Sequence, residues 1–192
     1  MINSKKRVLV LEGSPRQGNT TVATDWVLAG LGKKGVEVIR LRVCDLNING
    51  CQECEGCVTE KKRAGCQQED DMLEVYDLLV DSDLVLWTSP VFCWGVTSQI
   101  KAVVDRCFAL LNGENLLKGS RWAVVLTAGG DHFDGADLAV EMFRRLAEFG
   151  QVEYLGHYVV PNCGRPQELK RRLDVVRAAR RFGQELRQAL LK

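Results

Sequence analysis

The sequence predicts a doubly wound α/β fold, a five-stranded parallel sheet with helices on both faces. Two observations carry that expectation. Apolar stretches at residues 8–11, 36–43, 84–88, 122–127 and 154–160 alternate with segments of helical period at 20–33, 70–80, 97–111, 137–149 and 166–191. No hairpin signal joins one strand directly to the next, so each strand returns through a crossover helix. The strands are therefore parallel and buried on both faces. Such a sheet takes its ligands beyond the carboxyl ends of its strands, beside the point where strand order reverses. The loops after the first, third and fourth strands are where function is expected.

Val8-Leu9-Val10-Leu11 has the composition of a buried strand. It breaks at Gly13-Ser14-Pro15, and Gly18-Asn19-Thr20-Thr21 opens a helix that Gly30, Gly32 and Gly35 close. A strand, a polar loop and a helix N-terminus in that order form an anion site, because the first N–H groups of a helix lack partners and carry the positive end of its dipole. Ser14, Asn19, Thr20 and Thr21 offer neutral donors beside Gly18, and Arg16 offers a fixed charge that suits phosphate oxygens. No acid lies between Gly13 and Ala23. The ATPase loop is excluded because no Lys occurs between Arg7 and Lys33, and the dinucleotide loop is excluded because only Gly13 and Gly18 are present. Hydroxyls and amides in place of glycines favour a terminal monophosphate. The alternative is an ordinary strand–helix turn with a good N-cap.

After the second strand comes Cys51-Gln52-Glu53-Cys54-Glu55-Gly56-Cys57, then Cys66, in a cysteine-rich loop spanning 47–68. Cys-x2-Cys-x2-Cys is the entry pattern of cluster-binding loops, since two intervening residues let a tight turn aim successive thiolates at one centre. Gly50, Gly56 and Gly65 permit close wrapping. Four thiolates match a [4Fe–4S] cluster. Zinc, four free thiols and a disulfide staple are the alternatives. Cys44, Cys107 and Cys163 read as buried small hydrophobes.

The third strand runs into Pro90-Val91-Phe92-Cys93-Trp94-Gly95. Pro90 limits the backbone, Phe92 and Trp94 supply flat apolar surfaces, and Gly95 allows close approach. In the helix at 97–111, Ile100, Val103, Val104, Cys107 and Leu111 keep an apolar period. Ser98-Gln99-Ile100-Lys101 fits a β-lactamase pattern whose partner motifs are missing. Lys101, Asp105 and Arg106 read as packing or contact residues. The fourth strand ends in Thr127-Ala128-Gly129-Gly130, small residues that open the backbone to a ligand edge. Asp131 and Asp134 are expected to cap the helix that begins near Gly135 and closes at Gly150. In the last helix Leu169, Leu173, Val176, Phe182, Leu186 and Leu190 form the apolar face, and Lys170, Arg171, Arg172, Arg177, Arg180, Arg181 and Arg187 form a basic one.

The 192 residues suit one domain, and no linker or repeat divides them. With 46% hydrophobic residues, 27% charged ones and a net charge of +1, disorder and bulk-charge binding to nucleic acid or membrane are not expected. The start, Met-Ile-Asn-Ser-Lys-Lys-Arg, has no signal-peptide apolar region, so a cytoplasmic protein is expected. Its eight cysteines then point to metal, redox or burial rather than a disulfide framework.

Gly13-Ser14-Pro15-Arg16-x-Gly18-Asn19-Thr20 resembles the first loop of the flavodoxin-like FMN reductases. The cysteine motif, followed by Asp70-Asp71-Met72, resembles that of the iron–sulfur flavoproteins of the multimeric-flavodoxin group. Eight residues separate Cys57 from Cys66, with Glu60-Lys61-Lys62-Arg63 among them, a longer interval than the compact form of that motif. Gln99-x-Lys101-x-x-x-Asp105-Arg106 also matches, and Phe92 stands where Tyr is common. The resemblance implies strand order 2-1-3-4-5 and FMN held by Ser14, Arg16, Gly18, Asn19, Thr20 and Thr21 at its phosphate. It places Pro90, Val91, Phe92, Trp94 and Gly95 on one side of the ring and Thr127, Ala128, Gly129 and Gly130 at its polar edge. It also implies a [4Fe–4S] cluster on Cys51, Cys54, Cys57 and Cys66, NAD(P)H or ferredoxin as electron partner, small redox molecules as acceptors, and a homodimer or homotetramer. His132 becomes a proton donor or a surface residue, and the basic last helix a solvated face or a site for the NADPH 2′-phosphate. The rivals are a cluster-free quinone, nitro, azo or FMN reductase and a non-enzymatic electron carrier.

Overall fold

Alternation along the strands divides the core in two. In the computed structural model, which describes residues 5–59, 65–112, 114–166 and 168–192, the strands are β1 (Lys6–Glu12), β2 (Val36–Arg42), β3 (Leu84–Pro90), β4 (Arg121–Thr127) and β5 (Glu153–Val160). All pairings are parallel, in the order β2-β1-β3-β4-β5. The helices are α1 (Asn19–Leu31), α2 (Gly56–Thr59), α3 (Met72–Asp81), α4 (Ser98–Arg106), α5 (Phe108–Leu111), α6 (Ala136–Phe149) and α7 (Leu173–Leu190). Successive strand residues point to opposite faces. Val8, Val10, Leu84, Leu86, Ala123 and Val125 therefore meet α1 and α7, whereas Leu9, Leu11, Val85, Trp87, Trp122 and Val124 meet α3 to α6. Among the described residues no helix is long and apolar enough to cross a membrane.

The register brings the strand ends level. Glu12 lies opposite Thr88, Pro90 opposite Thr127, and Thr127 opposite Val160. The loops that follow β1, β3, β4 and β5 therefore emerge on one edge of the sheet, the carboxyl edge on which the sequence places function.

Several elements depart from the expected bounds, each for a local reason. The helix expected at 97–111 breaks at Cys107, because the Arg106 carbonyl accepts from Tyr76 Oη at 3.0 Å and the Leu110 N–H turns instead to the Cys107 carbonyl at 2.9 Å. The last helix opens as a 3₁₀ turn, Glu168–Arg171, and α7 starts only after Arg172, whose backbone is not helical and whose side chain reaches the Pro161 carbonyl at 2.9 Å. Leu169, Phe182, Leu186 and Leu190 are buried as expected, and the break shifts only the start of the buried face. Leu173 is 71% exposed, and Val175, Ala179, Phe182, Leu186 and Leu190 make the core contacts. Of the basic residues read there, the side chains of Lys170 and Arg171 lie outside the described residues. Gly30 does not close α1, which ends at Gly32 with φ 73°. A Cβ on Gly30 would lie 2.0 Å from the Arg180 carbonyl oxygen, and one on Gly183 2.0 Å from that of Val27, so these glycines let α1 and α7 touch backbone to backbone.

Candidate functional site

A cleft of about 470 Å³ opens at the carboxyl edge of the sheet. The loop after β1 contributes Ser14, Pro15 and Arg16, and the first turn of α1 contributes Asn19 and Thr20. Pro90, Val91 and Phe92 follow β3, and Thr127, Ala128 and Gly129 follow β4. Cys163 and Gly164, after β5, complete the wall. Five of the expected residues are absent from this lining: Gly18, Thr21, Trp94, Gly95 and Gly130. Gly18 lies under the Arg16 side chain, Gly130 sits against Asp134, and Trp94 turns away, 64% exposed, against Gly135.

The loops lock to one another before any ligand is considered. Thr97 caps α4, accepting from Ile100 N–H at 3.5 Å, while its hydroxyl donates to the Gly13 carbonyl at 2.8 Å. Its own N–H donates to Ser89 Oγ at 3.0 Å, tying the first loop to the third. Gly13 is required there, since a Cβ would stand 2.1 Å from Ile100 Cγ1. Val91 N–H donates to the Thr127 carbonyl at 2.8 Å, and the Thr20 and Thr127 hydroxyls share a 2.7 Å bond. Asn19 Nδ2 donates to the Cys163 and Arg165 carbonyls at 2.6 and 2.8 Å, and Cys163 N–H to the Ala128 carbonyl at 2.9 Å.

These bonds revise how the first loop meets an anion. Ser14 Oγ donates to the Arg16 carbonyl at 2.6 Å, so the Ser14, Asn19 and Thr20 side chains are engaged in holding the cradle together. What remains for an anion is backbone and charge. The first helical bond of α1 runs from Val22 N–H to the Gly18 carbonyl at 3.1 Å, and the N–H groups ahead of it have no helical acceptor. Arg16 is exposed at the mouth with no ion-pair partner among the described residues. Asn19 Oδ1, buried at the same place, finds no donor among them. Burial pushes the Cys163 thiol up to about 11, so it stays neutral.

Phe92 and Gly95 exchange backbone bonds of 2.9 and 3.0 Å around a two-residue turn. Its central residues, Cys93 and Trp94, have φ of 46° and 62°, a left-handed conformation that costs non-glycine residues roughly 1–2 kcal/mol each. The turn holds Phe92 half-exposed over the cleft and presents the Cys93 thiol to solvent. The next loop differs from expectation. Asp131 Oδ1 accepts from Phe133 N–H at 2.9 Å, and α6 starts after Gly135 (φ 96°) without a side-chain cap. His132 lies over Phe133 and His157 with ring centroids 5.3 and 6.3 Å away.

A second feature lies beside α4 and α5. Cys51, Cys54, Cys57 and Cys66 all line one hollow of about 100 Å³, walled by Val58, Arg106, Phe108 and Ala109. Asn112 Nδ2 holds the Cys57 carbonyl at 3.0 Å. Burial raises the Cys57 thiol, and the other three cysteines add to that. Residues 60–64, which carry Glu60-Lys61-Lys62-Arg63, lie outside the described residues. Among the described residues no three His, Cys, Asp or Glu side chains gather closely enough for one metal ion. Cys107 is buried as expected, its thiol pushed up to about 12, but Cys44 is only half-buried, with Sγ 3.5 Å from the Ser14 carbonyl.

Residues 6–164 match the family model of NADPH-dependent FMN reductases. The chain belongs to the NADPH-dependent FMN reductase family. An iron–sulfur flavoprotein of Methanocaldococcus jannaschii is 37% identical over 134 residues, 70% of this chain and 67% of that protein. Another, from Archaeoglobus fulgidus, is 33% identical over 134 residues with the same coverage. A solved NAD(P)H:quinone oxidoreductase of Methanothermobacter marburgensis is 17% identical and shares the fold, with a TM-score of 0.76 over 95% of this chain and 96% of that one. The chain is thus an FMN-dependent oxidoreductase of the iron–sulfur flavoprotein family. The family match spans every loop that builds the cleft and the cysteine hollow.

The residues of the cleft fit a flavin mononucleotide. The cleft has the volume of a small-ligand site, a cationic end formed by Arg16 and α1, and an apolar end formed by Pro90, Val91 and Phe92. Sequence reasoning missed Pro15, Cys163 and Gly164. The signal for the last two was present, since strand order puts the end of β5 beside that of β4.

Proposed function

We propose that the cleft holds FMN with its phosphate at residues 14–20 and its ring between residues 90–92 and 127–129. We further propose that Cys51, Cys54, Cys57 and Cys66 ligate a [4Fe–4S] cluster, and that the protein moves electrons between NAD(P)H or ferredoxin and an acceptor. The observation that carries the flavin assignment is the convergence of four loops on one cleft with a single cationic end. For the cluster, support comes from four thiols around one hollow and from the names of the relatives. The chemistry such groups supply is redox: a flavin takes up electrons in pairs and releases them singly, and an iron–sulfur cluster carries them one at a time.

The chain's own part is binding and exclusion of water. Arg16 and the leading N–H groups of α1 bind the anionic tail. The Thr97, Ser89 and Gly13 lock fixes the distance between the first and third loops, so the tail and ring subsites cannot drift apart. Val91 and Phe92 keep water off one side, and Gly129, bare of a side chain, leaves the loop backbone open to a polar edge. Phe92, exposed at the mouth, and Trp94, exposed beside it, favour a second copy as cover, hence a homodimer or homotetramer.

A cluster-free quinone, nitro or azo reductase is the second reading, favoured by the spread of the four thiols, which as they stand hold no single ion. Anaerobic purification decides between the two. The cluster reading expects about four irons and four sulfides per chain with broad absorbance beyond that of the flavin, and less than one iron per chain overturns it. Protein that remains colourless after incubation with FMN overturns the flavin reading.

A further inference from the structure

The cysteine loop leaves the sheet after β2 and returns at α3, and its feet are clamped. Asn47 N–H donates to Asp71 Oδ2 at 2.7 Å, and Asp71 N–H donates to the Asn47 carbonyl at 3.1 Å. Two residues on, Asn49 N–H donates to Asp70 Oδ2 at 3.0 Å, and the Asn49 carbonyl accepts from Arg106 Nη1 at 3.0 Å. Asp70 and Arg106 meet as a two-pronged pair at 2.8 and 3.0 Å, their side chains 2% and 1% exposed. Arg106 Nε donates to Tyr76 Oη at 3.3 Å, so all three guanidinium nitrogens are engaged.

Burying an ion pair is costly in desolvation and gives little net stability over apolar packing. The use of this pair lies in what it joins. Arg106 lines the four-thiol hollow, and so do Phe108 and Ala109 just beyond it in the chain. One side chain therefore ties the feet of the loop to the helical segment that shares the hollow with the four cysteines. Cys51 follows the clamped Asn49 by two residues, and Cys66 precedes the clamped Asp70 by four.

We propose that Asp70 and Arg106 are positioning residues for the four-thiol site: their clamp sets Cys51 and Cys66 against the same hollow before anything is bound there. The inference rests on the reading of the four cysteines as ligands, and it adds that the site is built by an ion pair outside the ligand set. Arg suits this role because its rigid planar fork grips the carboxylate with two parallel bonds while still reaching the carbonyl and Tyr76, whereas a lysine offers a single point charge without that fork.

The test compares the full chain with Asp70→Asn and Arg106→Lys. Metal-free protein is titrated with cadmium(II) and, separately, reconstituted with iron(II) and sulfide under argon, while FMN affinity is measured on the same samples. The expected result is FMN affinity within twofold of the unsubstituted chain and metal affinity at least tenfold weaker in both variants. Metal affinity within twofold, with FMN binding intact, overturns the proposal. If the variants lose FMN as well, or if the unsubstituted chain takes neither metal, hydrogen exchange on the metal-free unsubstituted chain decides. Slow exchange at the Asn47, Asn49 and Asp71 amides supports the clamp, and exchange at the rate of an open chain overturns it. Failure of the unsubstituted chain to take either metal counts against the ligand reading alone.

Discussion

The Thr20 and Thr127 hydroxyls, 107 residues apart in the chain, share a 2.7 Å hydrogen bond in the floor of the cleft, and both residues are buried. It joins the first turn of α1 to the end of β4, two of the segments that line the cleft. Thr127→Val keeps the shape and removes the partner, leaving a buried hydroxyl unsatisfied. The expected loss is about 1–3 kcal/mol, read as a lower urea midpoint with an unchanged slope.

Arg16 stands at the mouth with its charge uncommitted, unlike the side chains of Ser14 and Asn19, which are bonded within the cradle. Arg16→Ala should therefore weaken FMN binding by roughly tenfold, about 1.4 kcal/mol, and leave the melting temperature of the flavin-free chain unchanged. Titration by quenching of flavin fluorescence measures the first and calorimetry the second. Unchanged affinity refutes the phosphate role.

Acid should loosen the clamp late. Burial by itself would raise the Asp70 carboxyl, but its hydrogen bonds from Arg106, Asn49 and Met72 outweigh that and hold it below the usual carboxylate range. Asp83 follows the same logic, with Lys6 and the Arg7 N–H as partners. A carboxyl depressed in the folded state contributes stability that is complete above its unfolded pKa, about 3.9, and is lost as pH falls through the lower folded value. Their contribution should thus hold from neutral pH down to about 4 and decline below it. Asp70→Asn should flatten that acid limb, as measured by urea denaturation across the range.

The Cys93–Trp94 turn stores backbone strain that Asn and Gly would relieve. Cys93→Asn with Trp94→Gly should raise stability by roughly 1–2 kcal/mol. Against that gain stands the contact of Trp94 with Gly135. A fall in the urea midpoint would show that this contact outweighs the strain.

Much of the architecture is legible in the sequence. Apolar runs mark the five strands, and the strands in turn place the loops that follow β1, β3 and β4 on one edge. Such features are local: they follow from side-chain spacing along a few residues, which the chain carries wherever it sits. Side-chain partners are another matter. Composition alone made Ser14, Asn19 and Thr20 look like donors to a ligand, yet Asn19 is bound to a carbonyl 144 residues away and Thr20 to a hydroxyl 107 residues away. Trp94 turned outward because two left-handed residues reversed the chain, and Arg106 became a clamp because Asp70 returned beneath it. Local spacing along the chain is enough for the sheet, its loops and their chemical inventory. Only the tertiary structure decided which donors are engaged and which remain free, because a hydrogen bond goes to whatever acceptor the fold brings within about 3 Å.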